Sequence, residues 1–255
     1  SPAGFGSNTA GSTQSAEPVS EPDGFRGELR SYQKAALGWL RFCDSAGLGG
    51  CLALDMGLGK TPTVLAHVVA TREHGPTLVI APPAVVGNWR AEAHKFTPGM
   101  RVTVHHGATR ATHDEIAAEV ATADMVVTTY GTALRDLEAL SEVGWHRVVL
   151  DEAQAIKNPA SEAARGLRSI PSKHRLAMTG TPVENGLGDL WAILDYANPG
   201  LVGERAEFVG QLSAAHARSE AGTEGALRAL NGLLVFRRTK LEPEIAAELP
   251  DRIDE

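Results

Sequence analysis

Residues 55–61 read Asp-Met-Gly-Leu-Gly-Lys-Thr and sit between the apolar run Gly50–Leu54 and a helical pattern over residues 63–72. A Gly-x-Gly-Lys-Thr turn between a strand and a helix leaves a chain few alternatives. Gly57 and Gly59 let the backbone turn without a Cβ clash, so consecutive N–H groups and the next helix N-terminus converge on one point. That arrangement is commonly needed only by a nucleoside triphosphate site. Lys60 would reach the β and γ phosphates, and the Thr61 hydroxyl would be free to ligate magnesium. Gly57, Leu58, Gly59, Lys60 and Thr61 are therefore the candidate phosphate-loop residues. The strict Walker pattern asks for glycine where this chain has Leu54, and counting from Ala53 gives the Ala-x-x-x-Gly-x-Gly-Lys-Thr variant. Pro62 suits a first helical turn, where its missing N–H costs nothing.

A second block supplies the context that a glycine-rich turn needs. The buried-strand run Val148-Val149-Leu150 delivers Asp151-Glu152-Ala153-Gln154 at its carboxyl end. In open α/β sheets, ligands gather at that edge. Asp151 is placed to hold magnesium through water, and Glu152 to orient and deprotonate an attacking water. The bland alternative is a solvated acidic turn, but two acids after a strand in a chain with a phosphate loop favour the catalytic reading.

At 255 residues with 43% apolar content, the chain can build one large α/β domain or one and a half smaller ones. No run of eighteen apolar residues points to a membrane span. The first residues lack the basic and apolar segments of a signal peptide, and the two cysteines, Cys43 and Cys51, form neither a disulfide framework nor a metal knuckle. A reducing, cytoplasmic and nucleoid-associated setting is expected. The nine histidines read as scattered, and the His105-His106 pair lacks further ligands at zinc spacing.

The net charge of −7 is concentrated at the ends. Residues 1–24 hold three acids and no Lys or Arg, and residues 241–255 hold six acids against Arg252. Residues 25–240 carry 23 basic and 22 acidic groups, a balance that does not exclude a DNA-binding face. Arg90, Lys95, Arg101 and Arg110 are a modest local excess that a solvated surface explains equally well.

Residues 1–24 are rich in Ser, Gly, Ala, Pro, Thr and Glu and read as a disordered tail or linker. From there helical and strand patterns alternate. A helix is expected over residues 30–43 and strands over residues 50–54, 77–81, 102–105, 125–129, 147–150 and 175–179. That alternation predicts a parallel sheet with helices on both faces. After Pro182, residues 187–197, 206–217 and 225–234 read as helices with no strand among them.

In order along the chain, the blocks LRSYQ (29–33), DMGLGKT (55–61), LVIAPPAVVGNW (78–89), TTYGT (128–132), DEAQAIKN (151–158), LAMTGTPVEN (176–185), LWAILDYANPGLVG (190–203) and FRRTK (236–240) resemble the Swi/Snf family of DNA-dependent ATPases, within helicase superfamily two. The resemblance covers residues 29–249, and the form of the blocks looks bacterial. It implies a RecA-like lobe over residues 25–200, a helical protrusion over residues 201–236 and a linker over residues 237–255. It implies ATP and Mg2+ as cofactors, with double-stranded DNA, a second RecA-like lobe and a DNA-bound protein complex as partners. Gln33 matches the adenine-recognising glutamine, and Gln154 a residue that senses the γ phosphate or the second lobe, although a strand-end polar cap is the plainer role for Gln154. Pro82, Asn88, Thr128, Thr129 and Gly131 match DNA-backbone contacts, with Trp89 read as core. Thr179, Gly180 and Thr181 match the element coupling nucleotide to DNA, their hydroxyls bonding Asp151 or Glu152. Thr63 departs from the Gln of many relatives, and Leu54 from an acid.

After Arg238 only 17 residues follow, too few for the second lobe and its arginines. The expectation is a first lobe, nearly inactive alone. Three alternatives stand: a partner-binding module of an RNA-polymerase-associated factor, an RNA helicase lobe, and a self-contained P-loop kinase or NTPase.

Overall fold

The computed structural model describes residues 19–182, 186–217 and 233–249. Seven strands form one sheet: β1 (Gly50–Leu54), β2 (Thr77–Ala81), β3 (Val102–His105), β4 (Met125–Thr129), β5 (Trp145–Leu150), β6 (Ser172–Thr179) and β7 (Val235–Arg238). Their order is β3-β4-β2-β5-β6-β1-β7, and every pairing is parallel. The fold is RecA-like α/β. A parallel sheet covered on both faces needs strands that are apolar in both directions, and β1, β2, β4 and β5 are buried along their whole length.

The alternation of side chains along each strand divides the core in two. Leu52, Leu54, Val79, Val127, Val149 and Met178 point to one face and meet α1 (Ser31–Ala46), α2 (Lys60–Thr71) and α3 (Pro83–Phe96). Cys51, Ala53, Ile80, Val126, Val148 and Leu150 point to the other. There they meet α4 (His113–Ala121), α5 (Tyr130–Arg135), α6 (Leu137–Ser141), α7 (Glu162–Ser169), α8 (Leu187–Ala197) and α9 (Arg205–Ala217). Each loop at the carboxyl ends of the strands is thereby fixed by packing on both sides.

Strands at residues 50–54, 77–81, 102–105 and 125–129 fall where expected, while β5 and β6 begin two and three residues early. The carboxyl-terminal segment departs further. Residues 235–238, assigned from sequence to the protrusion and linker, return to the sheet as β7 beside β1, and α10 (Pro243–Glu248) follows. Val235 and Phe236 are buried, and Phe236 packs 5.8 Å from Trp39 of α1, so burying these two side chains outweighs the polar character of the Arg-Arg-Thr-Lys sequence after them. Helix α8 is also part of the lobe, with Leu190, Ile193, Leu194 and Tyr196 in the core, and Phe208 of α9 joins them. The helix expected over residues 225–234 lies outside the described residues, apart from a turn at 233–234.

At the other end, residues 19–24 are tied down, contrary to the tail expected there. Val19 packs against Leu29, Leu37 and Ala66, and Glu21 accepts the Leu29 N–H at 2.7 Å and pairs with Lys34. One half-buried valine and a satisfied carboxylate suffice to order this stretch. The expectation for residues 1–18 lies outside the described residues. No described helix is long and apolar enough to cross a membrane.

Candidate nucleotide site

The phosphate loop leaves the end of β1 and enters α2. Leu58, fully buried, anchors the loop to the core, while Gly57 and Gly59 take φ values of 81° and 76°. Gly59 has a second reason to be glycine: a Cβ there would lie 2.2 Å from the Gln33 amide nitrogen. Gln33 Nε2 donates to the Leu58 and Gly59 carbonyls at 3.2 and 3.4 Å, and its Oε1 accepts the Arg30 N–H at 2.7 Å. This glutamine braces the loop against the start of α1, and an adenine would have to exchange with those bonds. Lys60 Nζ donates to the Leu54 carbonyl at 2.6 Å. Burial pulls its pKa down, offset in part by the charges of Glu152, Asp151 and Asp55. Thr61 stands in the first turn of α2, half-buried. Thr63, in the place of a family glutamine, turns its hydroxyl back onto the Gly59 carbonyl at 2.8 Å and closes the loop from behind.

The acidic pair emerges from β5, two strands away across β6. Asp151 is buried; its Oδ2 accepts the Trp89 indole N–H at 2.9 Å and its Oδ1 the Glu152 backbone N–H at 2.9 Å. Burial raises its pKa, the Trp89 bond opposes this, and the neighbouring Glu152 charge adds to it. The Lys60 charge acts on it in the opposite sense, and a carboxylate together with a hydroxyl such as that of Thr61 is the oxygen donor type that suits a hard divalent cation. Glu152 is the one described non-glycine residue at positive φ, 52°, a conformation that costs about 1–3 kcal/mol and concentrates at working sites. It aims the carboxylate away from the helical path, where Oε2 accepts Gln154 Nε2 at 2.6 Å.

Between these two loops ends β6. Thr179 Oγ1 donates to Gln154 Oε1 at 3.0 Å and accepts the Thr181 N–H at 3.1 Å. Thr179 therefore meets Glu152 through Gln154, a correction to the direct hydroxyl-to-acid bond expected from sequence. Gln154 is a bridging residue in this network and more than a strand-end cap. Gly180 leaves room between the loops: a Cβ there would meet Leu54, Met56 and the Lys60 ammonium at ordinary contact distance.

The structure divides the expected DNA contacts. Pro82 caps α3 at the end of β2, Asn88 is exposed with its amide on Glu92, and Gly131 is exposed in the first turn of α5. Thr128 and Thr129 are not surface groups. Thr128 is buried and donates to the His105 carbonyl at 2.7 Å. Thr129 caps α5 by accepting the Thr132 N–H. Alternation along β4 and the tight turn into α5 direct both hydroxyls inward, so neither is offered to a phosphate. Arg101 and Arg110 are likewise spent on Asp124 and Asp136, leaving Arg90 and Lys95 exposed on α3.

Three contributions escaped the sequence reading. Trp89 is core, as expected, but also positions Asp151. The Tyr130 hydroxyl donates to the Asp151 carbonyl at 2.6 Å and fixes the backbone from the other face. The third is Lys240. Because Leu54 faces Arg238 in the β1–β7 register, Lys240 falls opposite the phosphate loop. Its N–H donates to Asp55 Oδ2 at 2.9 Å, and its ammonium would lie 3.3 Å from a Cβ at Gly57. The FRRTK block was visible in the sequence, but its approach to the loop was not.

A phosphate loop on β1, an acidic pair on β5 and a threonine-glycine turn between them are the arrangement of a RecA-like phosphate-loop lobe. The SNF2-related domain pattern matches residues 32–255, and the chain belongs to that family. It is 40% identical over 243 residues to the putative ATP-dependent helicase/translocase YwqA of Bacillus subtilis, covering 91% of this chain and 26% of the relative. It is 38% identical over 199 residues to the ISWI chromatin-remodeling complex ATPase ISW2 of Saccharomyces cerevisiae, covering 74% of this chain and 18% of that protein. Among solved structures, the Sulfolobus solfataricus SWI2/SNF2 ATPase core in complex with dsDNA aligns with a TM-score of 0.77 and 38% identity, over 91% of this chain and 48% of that one. The chain thus spans about a quarter of one relative and half of a solved core.

Proposed function

We propose that this chain is the first lobe of an ATP-driven translocase that tracks along double-stranded DNA and remodels protein–DNA complexes in the cytoplasm, at the nucleoid. The observation that carries the reading is the Glu152–Gln154–Thr179 hydrogen-bond chain at the ends of adjacent strands, with the phosphate loop on the next strand. ATP would lie across the loop, its phosphates facing the N–H groups of residues 57–61 and the Lys60 ammonium, with Gln33 at the base. Thr61 and Asp151 would hold Mg2+, which neutralises phosphate charge when bound. Glu152 would take the proton of the attacking water, and Gln154 and Thr179 would hold that carboxylate in place. Pro82 and Gly131 stand at the carboxyl ends of β2 and β4, with Asn88 and Arg90 further along α3, and these would meet DNA phosphates, contacts that position without reading sequence. Gly180 and Thr181 would transmit nucleotide state to that track. The relative solved with double-stranded DNA supports this choice of partner.

Hydrolysis is proposed to need a second lobe supplying arginines, whose loss costs about 10³- to 10⁵-fold. The test is ATP turnover by this chain with and without double-stranded DNA, and again with a second lobe present. Turnover only in the complete, DNA-bound form is the expected result. A rate above about one per second for the chain alone, within the usual range for complete enzymes, would overturn the two-lobe reading.

A further inference from the structure

The amino-terminal edge of the sheet, opposite the nucleotide loop, gathers groups that the ATPase chemistry does not use. Asp44 in the last turn of α1 faces His146 of β5 and His174 of β6, strands that lie side by side. The two imidazoles meet edge to face with centroids 5.0 Å apart. His146 is only 6% exposed, and neither of its ring nitrogens has a hydrogen-bond partner. A buried polar atom left unpaired in a packed core calls for an explanation. His174 Nδ1 stands 3.5 Å from Asp44 Oδ1 without forming a hydrogen bond.

We propose that Asp44, His146 and His174 form a binding site for one transition-metal ion of the zinc class. One ligand atom from each residue lies within 4.8 Å of the other two. Bonds of about 2.0–2.2 Å to zinc would bring such atoms somewhat closer, a movement within reach of side-chain rotation. Two imidazoles and a carboxylate are the borderline ligands that suit zinc, cobalt or nickel, with water in the fourth position. The carboxylate is prepared. Arg147 bonds both of its oxygens at 2.9 and 2.6 Å and His67 bonds Oδ2 at 3.0 Å, so Oδ1 keeps a lone pair on the His174 side. Burial also holds the pKa of both candidate imidazoles below the ordinary value, so each presents the neutral form that a metal requires. The Arg147 charge opposes a cation, which places the expected affinity in the micromolar range. The ion would clamp α1 to β5 and β6 and add stability by linkage.

The test is calorimetric titration of the metal-stripped, untagged chain with zinc chloride. One equivalent should bind, the melting temperature should rise, and His146→Asn and His174→Asn should each weaken binding by about tenfold or more, a loss comparable to that of supporting residues at known sites. Replacing the exposed His94 by Ala should change nothing. Absence of binding at 100-fold excess over micromolar zinc, or unchanged binding in both variants, overturns the site. Should a variant fail to fold, X-ray absorption on the zinc-loaded natural chain decides: two imidazoles in the first shell support the proposal, and oxygen ligands alone overturn it.

Discussion

The two edges of one sheet handle buried polar groups in opposite ways. At the carboxyl edge, the polar groups of the proposed machinery sit on loops leaving strands or on the first turns and strand ends beside them, and their present bonds are exchangeable: Lys60 to a carbonyl, Gln33 to two carbonyls, Glu152 to Gln154. At the amino edge, Asp44, His67, Arg147, His146 and His174 sit inside helices and strands, where a guanidinium and a carboxylate are locked together and ring nitrogens are left unpaired. A loop can move its groups toward a ligand at small cost. Groups on packed elements can shift only by side-chain rotation, so they accept a ligand that fits close to where they already are, or bear the cost of burial.

The sharpest test of the upper edge is Glu152→Gln, measured as DNA-stimulated ATP turnover in the presence of a second lobe. Losing the general base should cost about 10²- to 10⁴-fold in rate with nucleotide binding retained. A rate within twofold of the parent would move the base elsewhere.

For the lower edge the test is pH. His67 and His146 are pushed down to about 4 from 6.5, in each case chiefly by burial, so the unfolded chain binds more protons than the folded one between these values. Stability should therefore fall as pH drops from about 6.5 to 4, by roughly 3 kcal/mol from the fully buried His67 alone. Asp44, which burial would raise but the Arg147 and His67 bonds hold well below its usual value, contributes stability that is lost only under more acidic conditions. Urea unfolding across that window checks the sign; a flat profile would mean that these histidines protonate freely in the fold.

Gly59→Ala brings the comparison back to the loop. Its positive φ and the nearby Gln33 amide should together cost about 1–3 kcal/mol, seen in the thermal midpoint and accompanied by lost nucleotide binding. The smallest effect is expected at Lys240, whose exposed ammonium adds charge beside the loop. Lys240→Met should weaken nucleotide binding by up to about fivefold, in line with the 0.2–1 kcal/mol of an exposed ion pair, with no change in melting temperature. Unchanged affinity would confine Lys240 to its backbone bond with Asp55.

Much of the upper edge was legible because its chemistry is local. Val148-Val149-Leu150 followed by Asp151-Glu152, and Gly50–Leu54 followed by Gly57, Gly59 and Lys60, each place a strand and its loop within a dozen residues. The strands at residues 50–54, 77–81, 102–105 and 125–129 declared their limits through short apolar runs, whereas the polar residues that open β5 and β6 hid theirs. The inward direction of the Thr128 and Thr129 hydroxyls was not legible, because a block pattern carries no information about which way a hydroxyl points once β4 is buried on both sides. Val19 was missed because a single apolar residue in polar surroundings declares no period, and Val235 because the short apolar run from Leu233 to Phe236 reads equally well as the end of a helix.

The sequence by itself determined the strand-and-loop units, the all-parallel class of the sheet and the residues of the phosphate loop and acidic pair. Tertiary structure alone decided that Lys240 faces Gly57, that Trp89 holds Asp151, and that Asp44 meets His146 and His174 across 102 and 130 positions of chain. The physical reason lies in how a parallel sheet is assembled. Side-chain period and turn chemistry are set by near neighbours along the chain, whereas strand order is set by which crossovers bury the most apolar surface. The order β5-β6-β1-β7 places residues from both ends of the sequence side by side.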